Sequence, residues 1–555
     1  MSTQVMPFFM VVSLLHSIDL TSPRTIWFVA VLAVLAAVVA AVLLPRTLSD
    51  ARGEQRADAP DVAERTTNPG KPGHERPNAR AVLRAAGRCT ARTVMVIVPV
   101  LLVVGVGGLL VNLPMHYVRT LGDVVEAASP QAHNASRIAP LPDASVYDAV
   151  PASAWKASFQ DVGDGSQKGT WTGPVSGITL PVRVVLPADY RPDDGRTYNV
   201  IEGIHGWVGD PESLVTGLSS PKALQAAIDS GRIPPSIIVI PSVNVDGNQH
   251  DCVDIAGRPA VETWTAEEIP RMIQASFPNV STQRAGWLLM GVSAGAYCAA
   301  RTAFDVPQRF GSVGVLSSYN RPTEGALAHS GQQLQAQNAL STLLEQRVPD
   351  GLRFYVMGTQ DDAYGAASTA WLMEEAAQEP DSVSIDTPPQ GGHSWFLWTD
   401  RFPAMLTWWG SDPAVFAAAG LPAPEGDAWT KAAAEGIGTL SVTPKDRRTV
   451  GSASPIHAAP FEINGLGTII VAVGVSLAAI AVALVWSPHW GRRRGDKKPS
   501  ALRLGGAILG RFAVVALAAV LITATAGIGV NIGGGFYTSW HDLWASIRVT
   551  DNSSS

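Results

Sequence analysis

At 555 residues the chain exceeds one small domain and has room for about two to four structural units. Hydrophobic residues make up 46% and charged residues only 16%, well under the roughly 25% of ordinary soluble domains, which excludes a disordered or wholly soluble chain and points to membrane spans. A formal charge of −6 gives no reason to expect nucleic-acid binding, and three cysteines cannot build a disulfide framework or a Cys-rich metal site.

In chain order, the first apolar run, Met6 to Leu15, is too short to span and is followed by His16 and Asp19. It reads as an interfacial helix; no basic residue precedes it, which argues against a cleaved signal peptide. Four uncharged apolar runs are long enough to cross a hydrocarbon core: Ile26 to Leu44, Thr93 to Val111, Gly467 to Trp486 and Phe512 to Val530. Between the first two, Arg46 to Arg92 carries ten Lys or Arg, and Pro488 to Arg511 carries seven. Basic loops stay cytoplasmic, so both termini and the segment from about 113 to 466 are expected outside, in a multi-pass plasma-membrane protein. No span holds an ionisable residue, so the helices read as an anchor in membrane lipid and not as an ion pathway.

The second and fourth spans also read as a repeat. Arg92 to Asn112 and Arg511 to Asn531 each open with Arg and end Val-Asn, with a Tyr (Tyr117, Tyr537) and an Asp (Asp123, Asp542) following. Two helix-pair regions, 1–112 and 467–555, thus flank an insertion. Within it 113–150 and 421–466 are rich in Ala, Pro, Ser and Asp and read as linkers, either tethers or irregular packing on the domain. The stretch 151–420 alternates strands with helices. Strand candidates are Ile178–Leu186, Tyr198–Ile204, Ser236–Ile240, Gly286–Met290, Ser312–Leu316, Arg353–Met357 and Ser382–Ile385, with helices at Pro221–Asp229, Ala266–Ala275 and Ala294–Phe304. That alternation predicts an α/β domain with a mostly parallel sheet.

The sharpest motif is Gly291-Val292-Ser293-Ala294-Gly295, set between the apolar run Trp287–Met290 and an Ala-rich helix. Strand, sharp turn and helix make a nucleophile elbow, in which small neighbours relieve crowding around the serine. A serine hydroxyl needs a base, and the base an orienting acid. The strand Arg353–Met357 runs into Gly358-Thr359-Gln360-Asp361-Asp362, and His393 follows in the loop Gln390-Gly391-Gly392-His393. The order Ser, Asp, His is that of an α/β-hydrolase. Ser293 is therefore expected as nucleophile, His393 as base and Asp361 as acid, preferred over Asp362 because it comes first after the turn. The N–H of Ala294 and that of Trp207, after the strand ending at Ile204, are expected to hold the oxyanion.

These residues resemble the esterase D superfamily, which includes the antigen 85 mycolyltransferases. The resemblance is carried by His205-Gly206, by Glu262-Thr263-Trp264 through Glu268-Ile269-Pro270, by the elbow at Ser293, by Gly358 to Asp361, and by His393-Ser394-Trp395 with Trp398 beyond. It implies an α/β-hydrolase fold inserted between the two transmembrane pairs, and ester chemistry. The Asp-Gly-Leu-Arg-type turn of the mycolyltransferases is replaced here by His205-Gly206-Trp207, so their sugar-binding arginine has no counterpart. His205, Trp395 and Trp398 are weaker candidates for substrate contact, as core packing is for the tryptophans. Cys252 and Cys298 fall in the outside segment, where an oxidising exterior allows a disulfide.

The expected function is a membrane-anchored serine esterase or acyltransferase acting on an acyl-ester lipid or glycan of the envelope. A catalytically idle binding or assembly module is the alternative, and peptidase or thioesterase activity would use the same residues. Nothing calls for a cofactor or a metal, since neither a His-x-x-x-His pair nor a carboxylate cluster is visible, and the oligomeric state is not legible.

Overall fold

The computed structural model describes residues 18–20, 22–57, 79–115, 120–121, 137–207, 209–245, 249–323, 325–423, 459–485, 501–534 and short pieces of 536–544. The run Met6 to Leu15, residues Tyr117, Asp123 and Asp542, and the stretches 58–78 and 486–500 of the two basic loops lie outside them. The chain divides into two compact units: one of Ser22–Val111 with Gly465–Val530, the other of Met1–Thr21, Asn112–Asn464 and Asn531–Ser555.

The first unit is helical. Its long helices are Pro23–Ala57, Ala79–Met115, Leu466–Val485 and Ala501–Gly534, and each holds a stretch long and apolar enough to cross a membrane. The first, second and fourth overrun the apolar stretches into the flanking basic sequence, because Ala, Leu and Arg are strong helix formers. The helices meet at small residues: Ala40, Val96, Ala483 and Ala518 form one buried cluster. A Cβ at Gly107 would lie 2.7 Å from Thr523 Cγ2, so glycine lets the second and fourth helices approach. The hydroxyls of Ser476 and Thr525 share a hydrogen bond of 2.8 Å between the third and fourth. Large apolar side chains such as Phe28, Leu101, Leu509 and Val530 point outward, the reverse of a water-soluble bundle.

The second unit contains a nine-stranded sheet: β1 Gln160–Asp161, β2 Ser166–Thr172, β3 Thr179–Val185, β4 Asn199–Ile204, β5 Ser236–Pro241, β6 Trp287–Val292, β7 Ser312–Leu316, β8 Arg353–Met357 and β9 Ser382–Asp386. Its order is β1-β2-β3-β5-β4-β6-β7-β8-β9. The first three strands pair antiparallel, and β3 joins β5 antiparallel; from β5 through β9 every pair is parallel. β5, β6 and β7 are unbroken buried runs, as parallel strands covered on both faces must be. Helices α1 Pro211–Gly217, α2 Ser220–Asp229, α3 Ile269–Ser276, α4 Ala294–Asp305, α5 Leu340–Gln346, α6 Ala366–Ala376 and α7 Trp395–Gly410 cover it. One core lies between the sheet and α3, α4, α5 and α6, the other between the sheet and α1, α2 and α7. The architecture is the α/β-hydrolase fold, a mixed, mostly parallel sheet with flanking helices.

Two strands were not expected from the sequence. β2 reads Ser-Gln-Lys-Gly-Thr-Trp-Thr, and apart from Trp171 its buried positions are Ser166 and Gly169, too little apolar content to signal a strand. The residues before it pack on the domain: Ile138 bridges Ile255, a short helix spans Ala144–Asp148, and Tyr147 and Trp155 enter the core.

Candidate active site

Parallel strands deliver their C-terminal ends to one edge of the sheet, and the site is built there. Ser293 leaves β6 with φ 56° and ψ −124°, a conformation that costs a non-glycine residue about 1–3 kcal/mol. The surroundings enforce it. A Cβ at Gly291 would sit 2.1 Å from Gly295 O, and one at Gly295 would sit 2.2 Å from Ile204 O and 2.5 Å from His205 O. Both glycines are thus required by backbone packing at the turn. A row of main-chain bonds then ties the neighbouring strand ends together: Ser293 N–H donates to Leu316 O (2.9 Å), Ser317 N–H to Met357 O (2.7 Å), Gly358 N–H to Asp386 O (3.0 Å) and Gln360 N–H to Pro388 O (3.0 Å). These fix the elbow, the acidic turn and the histidine loop in mutual register.

His393 lies in that loop just before α7, with only 4% of its surface exposed. Its Nε2 is 2.8 Å from Ser293 Oγ, and its Nδ1 is 2.8 Å from Asp362 Oδ2. The carboxylate facing the imidazole is therefore that of Asp362, not of Asp361 as the sequence led us to expect. Asp361 turns the other way: it accepts the backbone N–H groups of Gly392 (2.9 Å) and Gly391 (3.3 Å). Neighbouring carboxylates at a turn point in different directions, and here one takes the side chain while the other takes the loop that carries it. The loop is further held by Thr359 Oγ1 donating to Gly392 O (3.1 Å) and Ser394 Oγ donating to Gly391 O (3.0 Å). Gly391 and Gly392 have φ of 143° and 61°, which explains the glycine pair before the histidine.

The imidazole is flanked by Tyr364, ring centroids 4.7 Å apart, and edge-on by Trp398 at 5.1 Å. Trp398 is anchored by its indole N–H donating to Ser317 Oγ (2.9 Å) and by a perpendicular contact with Trp395 (4.9 Å). Both tryptophans are buried in the α7 core, as are Trp408 and Trp409. Substrate contact, expected weakly for Trp395 and Trp398, gives way to packing behind the histidine. Sequence reasoning did not find Tyr364 or Ser317; neither sits in a motif.

His205 also departs from the expected substrate contact. It is buried, and both ring nitrogens face backbone: Val243 N–H donates to Nε2 (3.2 Å), so Nδ1 carries the proton and donates to Gly206 O (3.0 Å). Burial pushes its pKa down, which keeps the ring neutral. His205 thus braces the turn that brings Gly206 beside the elbow, where a Cβ would meet Ser293 Cβ and Val292 O, each at 3.3 Å. The next residue is Trp207. Ala294 opens α4, so its N–H is one of the first-turn donors that no intrahelical carbonyl can take. Behind the elbow, Cys298 of α4 is disulfide-bonded to Cys252. Among the described residues no group of His, Cys, Asp or Glu side chains is arranged to hold a metal ion.

Comparison with known proteins bears on this same segment. Residues 176–409 match the "Putative esterase" family model. The α/β domain is an esterase. It belongs to the α/β-hydrolase superfamily, and the chain is a carboxylic-ester hydrolase. Solved structures similar to the esterase domain include an S-formylglutathione hydrolase from Agrobacterium tumefaciens (15% identity, TM-score 0.38, covering 46% of this chain and 98% of that one). Others are a ferulic acid esterase from Anaeromyces mucronatus (17%, TM-score 0.35, 50% and 95%) and an enterobactin esterase from Shigella flexneri (15%, TM-score 0.35, 49% and 63%). No curated protein matches the chain.

Proposed function

We propose that the chain is a membrane-anchored serine esterase or acyltransferase whose esterase domain faces the cell exterior and acts on ester-linked acyl groups of envelope lipids or glycans. The observation that carries the chemistry is the hydrogen-bonded chain from Asp362 through His393 to Ser293. In this reading His393 Nε2 takes the hydroxyl proton as Ser293 Oγ bonds to the ester carbonyl carbon. The oxyanion that forms is held by the N–H groups of Ala294 and Trp207. Collapse breaks the bond to the alcohol, which leaves with the proton from His393, and Ser293 holds the acyl group. Water or a sugar hydroxyl then attacks the acyl carbon and gives its proton to His393; collapse breaks the bond to Ser293 Oγ, which takes that proton back as the acid or new ester leaves. Asp362 orients and stabilises the imidazolium, while Asp361 holds the histidine loop.

Anchoring is supported by the four long apolar helices, and the exterior placement by the ten and seven basic residues of the two loops expected inside. The Cys252–Cys298 bridge adds support, since disulfides persist on the oxidising side of a membrane. The test is fluorophosphonate labelling of the full chain in membranes. Wild type should label, Ser293→Ala should not, and labelling of His393→Ala should fall sharply. Undiminished labelling of Ser293→Ala, or none of a folded wild type, would remove the reading.

A further inference from the structure

The segment after the fourth long helix folds back onto the residues that lead into the third. Asn531, in the last turn of that helix, is buried and fixes the reversal from both sides: its Nδ2 donates to Tyr537 O (2.8 Å), and Tyr537 N–H donates to its Oδ1 (2.8 Å). Trp540 then closes on the other stretch, its backbone N–H donating to Glu462 Oε2 (3.0 Å) and its indole N–H to Phe461 O (2.9 Å). What this clasp leaves outside is aromatic: Phe461 is 70% exposed, Trp544 55% and Trp540 37%.

We propose that this patch is a seat for the headgroup layer of a lipid bilayer. Phe461 and Trp540, drawn together by hydrogen bonds, and Trp544, four residues beyond Trp540, are too exposed to suit a water-facing surface. Hydrocarbon is excluded as the covering medium because Glu462 belongs to the same patch, and a carboxylate at membrane depth is expensive. The layer between suits both halves: the apolar body of an indole is taken up while polar neighbours stay wet. Position in the chain agrees. The third long helix starts at Leu466, a few residues after Phe461, and the fourth ends at Gly534, a few before Trp540. The inference rests on the membrane-anchored reading above.

The test uses the full chain with Cys89→Ser, reconstituted in phosphatidylcholine–phosphatidylglycerol vesicles. Nitroxides are placed one at a time at Trp544→Cys, Phe461→Cys, Ile470→Cys in the third long helix, and Val348→Cys, which is 84% exposed in the esterase domain. Depth is read from collision with oxygen and with a water-soluble nickel chelate. The expected result puts both patch labels within about 10 Å of the phosphate plane, Ile470 deeper and Val348 in water. Patch labels as open to nickel as Val348, with Ile470 still embedded, would overturn the proposal and leave the anchor standing. Ile470 open to nickel would overturn both. Spin–spin broadening at Trp544 that vanishes on dilution with unlabelled protein would overturn it in favour of a second copy covering the patch.

Discussion

Asp361 and Asp362 are adjacent, yet their removal should read differently. Asp362→Asn keeps the volume beside His393 and loses the charge that orients and stabilises the imidazolium, so kcat on a soluble aryl ester should fall on the order of 10³–10⁴-fold. Asp361→Asn keeps an oxygen acceptor for one of the two glycine N–H groups and costs about one charge-assisted hydrogen bond, a loss on the order of tenfold. Equal losses, or the reverse order, would return the acid role to Asp361. The residue scale also marks where sequence reasoning stopped. Ser293 and His393 were legible because a strained turn and a glycine-rich loop leave signatures in the neighbouring residues. The choice between two consecutive carboxylates leaves none, because it is set by which one meets the unpaired N–H groups of Gly391 and Gly392 across the fold. His205 was legible as part of a turn, but its bracing role depends on Val243, 38 residues away.

Single elements carry two further expectations. β4 places Glu202 on its covered face, wholly buried, with neither carboxylate oxygen hydrogen-bonded among the described residues. Burial raises its pKa well above the ordinary 4.5, and the charge of Arg309 offsets only part of this. The folded protein thus keeps a proton that the unfolded chain loses, so this group's contribution is fully present below about pH 4.5 and falls as pH rises toward the native value. Glu202→Gln should remove that slope: its melting temperature should gain on wild type from pH 5 to pH 8, by no more than about 1.4 kcal/mol of stability per pH unit. Parallel pH curves would show Glu202 ionised in the fold. The second expectation concerns α4, which carries the nucleophile at its N-terminus and is cross-linked to a loop across a sequence separation of 46. Loop closure of that length contributes about 4 kcal/mol, so the double substitution Cys252→Ala/Cys298→Ala should melt well below wild type, and reductant should shift wild type toward it. At this scale the covered parallel strands were readable because they must be apolar throughout. The outlying strands β1 and β2 were not, because β1 has two exposed residues and β2 buries Trp171 as its only large apolar side chain.

The molecule as a whole is two units threaded through each other in sequence: helices, esterase-bearing unit, helices again. If the four apolar helices span, alkaline carbonate washing of membranes should leave the chain in the pellet and detergent should release it; release by carbonate alone would mean surface attachment. In the sequence, long uncharged runs and alternating short ones read as two kinds of core, whereas the grouping of Asn531 with the unit that holds the sheet has no compositional signal. The same threading governs proteolytic release. A domain hung from one end is shed by a single cut. This esterase is joined to helices through both of its ends, so one cut on either side leaves it attached through the other, and a soluble esterase fragment requires two.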